Sequence, residues 1–437
     1  MTSERPSTGF LTDQYEFTMI DAAVNAGTAD RDSVFELFGR RLPSGRRYGV
    51  VAGVGRALEL LRDFRFGDAE LAHLREHSIV SPKTLDWLAD YRFTGNISGY
   101  REGEVYFPNS PILVVDGTFA EAVILETLAL SVLNYDSAIA SAAARMVSAA
   151  DGRPIAEMGS RRTGEHSAVA AARAAFVAGF GATSNLEAGR LWGVPTMGTA
   201  AHAFTLLHDS EEEAFRSQVE ALGSGTTLLV DTYDVPQAVE KAVRIAGTGL
   251  GAVRIDSGDL PAQVAAVRRQ LDSLGAVNTK ITVTNDLDEY TIAALRAAPV
   301  DSYGVGTSVV TGSGHPAASM VYKLVARRDA AGEWVAVAKK SAAKASVGGR
   351  KHPVRTIENG VAVAETIYVG GAPAATPEER PLLVPLMVDG EPVAEYLGAH
   401  GTGVARTHRA TAIAELSDQA FRLARGEPAI PTVYATS

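Results

Sequence analysis

The sequence predicts an α/β protein: an irregular (β/α) barrel of about seven parallel strands, plus an α/β domain built from the N- and C-terminal segments. Three observations carry that expectation. Between residues 136 and 325, short apolar runs alternate with helical patterns, the rhythm of parallel strands joined by right-handed crossovers. Two of the helical stretches open with an acidic residue followed by proline in the first turn. The flanking segments, 1–135 and 326–437, share a different texture of extended pieces and turns. At 437 residues the chain is too long for one ordinary core, and its 46% hydrophobic and 21% charged content is that of a globular protein.

Taken in order, Leu11–Met19 is a polar and aromatic stretch that reads as an amphipathic helix start, capped by Thr12 or Asp13. Arg92–Val115 reads as short extended pieces broken by Gly95, Gly99 and Gly103, and Phe119–Leu133 as a helix. Seven runs are short enough for buried strands: Pro154–Met158, Gly181–Asn185, Val194–Met197, Thr226–Val230, Gly251–Ile255, Lys280–Thr284 and Ser302–Val305. Asp234 with Pro236, and Asp259 with Pro261, start two of the intervening helices. Beyond the barrel, Asp329–Gly332 is a hairpin turn between Val321–Arg327 and Glu333–Lys339. Gly370–Pro377 reads as a loop, Glu415–Arg425 as helical, and Lys339–Lys351 as a basic loop, either solvated or phosphate-facing.

The formal charge of −10 argues against a nucleic-acid or anionic-membrane partner, but leaves room for an anionic substrate held by a few clustered arginines. The chain has no cysteine, which excludes disulfides, thiolate zinc sites and a cysteine nucleophile. Residues 1–10 lack the apolar stretch of a secretory signal, and no window holds 18 uncharged apolar residues, so a cytoplasmic location is expected.

Polar clusters follow the predicted strands, where barrels collect their chemistry. After the first comes Gly159-Ser160-Arg161-Arg162-Thr163-Gly164, suited to phosphate by its guanidinium forks and small residues, or else a solvated loop. After the third, Gly198-Thr199-Ala200-Ala201-His202 places an imidazole among small residues, as a structural hydrogen-bonder or as a nucleophile or proton relay. After the fifth, Arg254 and Asp256 share a face by the period-two rule, a cation and a carboxylate projecting together. Asp259 reads as a helix cap. After the sixth, Asn285 or Asp286 suits ribose or metal, and Asp288 suits a cap. After the seventh, Gly304-Val305-Gly306-Thr307 suits a phosphate cradled by backbone N–H groups. It is not a P-loop, since no Gly-Lys-Ser/Thr occurs in the chain.

Nine stretches together resemble the nicotinate phosphoribosyltransferases, among the type II phosphoribosyltransferases. They are LTDQYEFTM (11–19), FELFGRRLP (35–43), LNYDSAIAS (133–141), EMGSRRTGEHSAV (157–169), TSNLEAG (183–189), GTAAHAF (198–204), RIDSGDL (254–260), TNDLDE (284–289) and GVGTSVV (304–310), in the family's order. The resemblance implies an ATP-coupled, ligase-type reaction of nicotinate with phosphoribosyl pyrophosphate, with Mg2+ as cofactor, in NAD salvage. It implies that ATP phosphorylates His202, adding about −1.5 to −2 charges. Tyr15 matches the aromatic residue that stacks on the pyridine ring across a homodimer interface, reaching the partner's site. Arg254 matches the arginine near the nicotinate carboxylate, and Asp256 an acidic residue near ribose and metal. Arg161 matches a phosphate-site residue, and Gly304, Gly306 and Thr307 the loop for the 5′-phosphate. Arg162, Ser184, Asn185 and Asn285 are expected to be further substrate contacts.

Other classes leave different marks. A nicotinamide-specific relative shares an Arg-x-Asp-Ser-Gly-Asp-like motif and differs at the carboxylate. A quinolinate enzyme needs no phosphorylated histidine and is a shorter chain. A metabolite sensor has no need of His202, Asp256 and Arg161 together. A barrel lyase or aldolase wants a reactive lysine at a strand end, and none of the seven runs ends in one.

Overall fold

The computed structural model describes residues 6–339, 346–374 and 376–436. The chain divides into two compact units, one of Met1–Ser141 with His315–Ser437, the other of Ala142–Gly314.

The first unit interleaves strands from both chain ends. Its seven-stranded sheet runs Trp334–Ala336, Met320–Arg328, Asp32–Gly39, Pro111–Thr118, Asn96–Gly99, Val384–Val388, Glu391–Pro392. Strand Asp32–Gly39 is antiparallel to both neighbours and buried along most of its length, as a central strand covered on both faces must be. Phe35 on it stacks on Tyr322 with ring centroids 5.0 Å apart. A four-stranded sheet, Glu379–Pro381, Lys351–Glu358, Val361–Val369 and Thr432–Thr436, accompanies it. Buried Arg355 on Lys351–Glu358 donates to Glu104 and Glu365, each at 2.6 Å, and Glu104 also accepts from Arg380 and His408.

Several local expectations hold in this unit. Asp13 precedes helix Gln14–Ala26, and its N–H donates to Glu16 at 2.6 Å. In the hairpin turn, the Asp329 carboxylate accepts from Ala331 and Glu333 N–H groups. Others are corrected. The helix expected over Phe119–Leu133 is two helices, Phe119–Val123 and Glu126–Ala150. The span 119–150 is long and apolar enough to cross a membrane by length and composition, but 67% of its 18-residue apolar window is buried in the protein. The helix expected at Glu415–Arg425 lies earlier, at Gly398–Ala414, with only a 3-10 turn at Asp418–Phe421. Part of the basic stretch Lys339–Lys351, residues 340–345, lies outside the described residues.

The second unit carries a six-stranded parallel sheet, not a seven-stranded one. Its order is Ala182–Thr183, Ile155–Glu157, Ser302–Val305, Lys280–Val283, Ala252–Ile255, Thr227–Leu229. The third expected strand, Val194–Met197, contributes only a single parallel bridge, between Thr196 and Thr183. Pro195 lies within that run and has no N–H to donate to a ladder. The two edge strands do not pair among the described residues, so the sheet is open. Asp234 caps helix Val235–Ala246 by accepting from Gln237 N–H at 3.0 Å. Asp288 caps helix Glu289–Ala294 in the same way. Asp259 occupies the N-cap position of Leu260–Ser273 but makes no side-chain cap bond.

Candidate active site

Because the six strands are parallel, the loops after them leave one edge of the sheet, and the polar clusters meet there. A cavity of about 190 Å³ is lined by Arg161, Arg162, Arg254, Asp256, Asn285, Gly304, Gly306 and Thr307. A second cavity of about 410 Å³ shares Met158, Arg161 and Arg254 with it, and extends along Ser184 and Met197–Ala201. Arg161, Arg162, Ser184, Arg254, Asp256, Asn285, Asp286, Gly304, Gly306 and Thr307, all singled out in the sequence, therefore line these two adjoining cavities. Three arginines against two carboxylates, Asp256 and Asp286, make it suited to a polyanion.

Arg254 is held in place from three sides. Its Nε donates to Thr284 Oγ1 at 2.9 Å, its Nη1 to Thr199 Oγ1 at 3.0 Å, and its Nη2 lies 3.5 Å from Asp256 Oδ1. Thr284 also donates to Asp256. The shared face inferred from alternation is thus real, and a threonine ties its two members together. Beyond strand Lys280–Val283, Asn285 (φ 118°) and Asp286 (φ 37°) take left-handed backbone that non-glycine residues avoid. Such strain persists only where surrounding structure enforces it. Glycines at 304 and 159 reflect close approach. A Cβ on Gly304 would lie 2.6 Å from Thr284 Cγ2, and one on Gly159 2.3 Å from Val310 Cγ1.

His202 opens helix His202–Leu207, and its Nε2 lies 3.1 Å from Asp231 Oδ1. The Asp231 side chain is 1% exposed, whereas that of His202 is 42% exposed. The other oxygen of Asp231 accepts from the N–H of Asp256 at 2.8 Å and the hydroxyl of Ser257 at 2.7 Å. One carboxylate therefore links the imidazole to the Arg254–Asp256 strand end. An ionised Asp231 accepts only, so Nε2 carries the proton and the Nδ1 lone pair is left outward.

Sequence reasoning missed Asp231. The signal was there, a carboxylate directly after the apolar run Thr226–Val230, but it stood alone and not in a cluster. It also missed Glu157, at the end of the first strand and fully buried. Glu157 accepts from Thr183 Oγ1 at 2.6 Å and from the N–H of Gly159. Burial pushes its carboxyl above the ordinary value, opposed by those two bonds.

The remaining expected residues sit differently. The Asn185 side chain caps helix Leu186–Trp192 through Ala188 N–H at 3.0 Å and donates to Ser160 Oγ at 3.0 Å, so its amide is engaged within the protein. Tyr15 lies in the other unit, on Gln14–Ala26, 45% exposed. Partial burial, then Glu126 and Glu16, push its hydroxyl up to about 12, so the phenol stays neutral. Among the described residues no three His, Cys, Asp or Glu side chains cluster as a ready metal cage. Asp256 and Asp286 beside the cavity fit a magnesium ion that keeps most of its ligands as water and phosphate oxygens.

Residues 10–134 match the family model of the nicotinate phosphoribosyltransferase N-terminal domain. The chain is 55% identical over 434 residues to nicotinate phosphoribosyltransferase pncB1 of Mycobacterium tuberculosis, covering 97% of this chain and 94% of that protein. It is 36% identical over 369 residues to nicotinate phosphoribosyltransferase of Bacillus subtilis, covering 82% and 75%. Among solved structures it is similar to human nicotinic acid phosphoribosyltransferase, with a TM-score of 0.81 at 24% identity over 98% of each chain. At that identity the likeness is one of fold.

Proposed function

The chain belongs to the nicotinate phosphoribosyltransferase family, and from that premise we propose that it transfers the ribose 5-phosphate of phosphoribosyl pyrophosphate to nicotinate, coupled to ATP hydrolysis through phosphorylation of His202. The observation that carries this reading is the Asp231 carboxylate shared between His202 and the backbone of Asp256, which joins a phosphorylatable imidazole to the arginine-lined cavity.

In the transfer, the pyridine nitrogen attacks ribose C1 with its lone pair. The C1–O bond breaks, and its electrons leave with pyrophosphate. The nitrogen carries no proton, so no general base is needed, in keeping with a site rich in anion holders. Arg161 and Arg162 face the pyrophosphate, the Gly304–Thr307 loop faces the 5′-phosphate, and Arg254 faces the nicotinate carboxylate from between the two cavities. Ser184 and Asn285 border the substrate on the two sides. Asp256 and Asp286 would hold a magnesium ion, which would supply charge neutralisation for the departing pyrophosphate. The half-exposed ring of Tyr15 is offered for stacking on the pyridine ring in a homodimer, at the site of the partner subunit.

In the coupled step, His202 Nδ1 forms a bond to the γ-phosphorus of ATP as the bond to the ADP oxygen breaks. The proton on Nε2 stays facing Asp231, which offsets the positive charge building on the ring. Water later takes the phosphoryl group and regenerates the imidazole.

The test is product formation from phosphoribosyl pyrophosphate and magnesium with nicotinate or nicotinamide, each with and without ATP. Mononucleotide from nicotinate, enhanced by ATP with ADP released, is the expected result. Product from nicotinamide instead moves the assignment to the amide-specific relative. Unchanged ATP dependence in His202→Ala sinks the phosphohistidine.

A further inference from the structure

The arginine loop 159–162 needs a fixed position for its guanidinium groups to discriminate a pyrophosphate, and one buried side chain supplies it. Asn185 N–H donates to Thr183 Oγ1 at 3.0 Å, and the only proton of that hydroxyl goes to Glu157 Oε2 at 2.6 Å. The other oxygen, Oε1, accepts from Gly159 N–H. Backbone donors feed this chain from both ends, and as a carboxylate Glu157 accepts at both oxygens, one bond from Thr183 and one from Gly159. Its neighbours add a second tie between the same two loops, from Asn185 Nδ2 to Ser160 Oγ at 3.0 Å. Ser184 N–H also donates to the backbone oxygen of Glu157 at 2.8 Å. On its far side Gly159 packs against the phosphate-facing loop, since a Cβ there would lie 2.9 Å from the carbonyl oxygen of Gly306.

We propose that Glu157, acting through Thr183, is a positioning residue for the phosphate-bearing substrate: its acceptor-only carboxylate locks the loop carrying Arg161 and Arg162 to the loop carrying Ser184. Glu157 lines neither cavity, so any effect on the substrate passes through the loops it ties together. The inference rests on the reading of the arginine-lined cavity as a phosphoribosyl pyrophosphate site. It does not depend on ATP coupling or on which pyridine is the acceptor.

Three variants test it. Glu157→Gln keeps shape but offers one acceptor where two are needed. Thr183→Val keeps shape and removes the hydroxyl. Thr183→Ser keeps the hydroxyl and removes a methyl. Isothermal titration with phosphoribosyl pyrophosphate is read beside KM for each substrate, kcat and the melting temperature. Glu157→Gln and Thr183→Val should each weaken phosphoribosyl pyrophosphate binding and raise its KM about tenfold, the scale of one frustrated buried hydrogen bond. The KM for nicotinate should move far less, and Thr183→Ser should stay near wild type. Wild-type binding of phosphoribosyl pyrophosphate by both disruptive variants overturns the proposal. So does a lower melting temperature with KM unmoved, or a Thr183→Ser defect equal to that of Thr183→Val. If the wild-type protein binds phosphoribosyl pyrophosphate but makes no mononucleotide, the proposed reaction fails while the titrations still decide the role of Glu157.

Discussion

Replacing Asp231 by Asn separates the role of the shared carboxylate from its shape. An asparagine has one acceptor oxygen and one NH2. The two donors from Asp256 and Ser257 converge on one oxygen, Oδ2, at 2.8 and 2.7 Å, so the amide oxygen settles there. The NH2 then faces His202 Nε2, which must accept, and the imidazole proton moves to Nδ1. The nucleophilic lone pair is thereby turned away from ATP. Charge adds to this effect. Two unit charges about 4 Å apart interact by about 1 kcal/mol in water and about 4 kcal/mol at the effective dielectric of a protein surface. The heavy atoms lie 3.1 Å apart, but the His202 side chain is 42% exposed. A value of about 2 kcal/mol is appropriate, or about 30-fold in the phosphorylation rate. Together with the misplaced tautomer, a loss of at least 100-fold is expected in ATP-dependent ADP release. The ATP-independent rate should change little, and the melting temperature by a few degrees at most. The assay is ADP release and acid-labile phosphoryl-enzyme in a single turnover. Full phosphorylation of the Asp231→Asn protein would refute the assignment of tautomer and nucleophile.

Three further outcomes follow from particular contacts. Arg254→Lys should raise the KM for nicotinate at least about tenfold and that for phosphoribosyl pyrophosphate less, because an ammonium cannot reach Thr284 and Thr199 and still present a fork to a carboxylate. Gly159→Ala should lower stability by about 1–3 kcal/mol in urea unfolding, since its Cβ would lie 2.3 Å from Val310 Cγ1. Burial alone would raise the carboxyl of Glu104, but the bond from His408 and the charges of Arg355 and Arg380 outweigh it and hold it well below the carboxylate range. A depressed carboxyl contributes stability above its unfolded value near 4.5, and that stability is lost as pH falls through the folded value. Glu104→Gln should therefore be less stable than wild type at pH 7, by about 3 kcal/mol, yet lose less on acidification below about pH 4.5. Urea midpoints across a pH series check this.

Much of this site was legible in the chain order of residues. Arg161, Arg254, Asp256, Asn285, Gly304 and Gly306 are legible because each lies at the end of a short apolar run or just after it, and six of the seven runs form parallel strands. Strand period and helix caps are local properties, set by alternation and by which backbone donors a nearby oxygen can reach, so Asp234 and Asp288 could be assigned without neighbours. The run at Val194–Met197 failed as a strand for a local reason too, since Pro195 was visible in it.

What the sequence could not determine were the partners of lone acidic residues. Asp231 and Glu157 carry no local pattern, and their meaning lies in contacts to His202 and Thr183, 29 and 26 residues away. A buried carboxylate is tolerated only where donors converge on it from several loops. Composition and spacing thus determined the strand–helix rhythm and the anion-holding character, and the motifs carried a resemblance to the family. Only the tertiary structure decided that one carboxylate orients the histidine and another locks the arginine loop, because convergence of donors is a property of packed strand ends and not of neighbours along the chain.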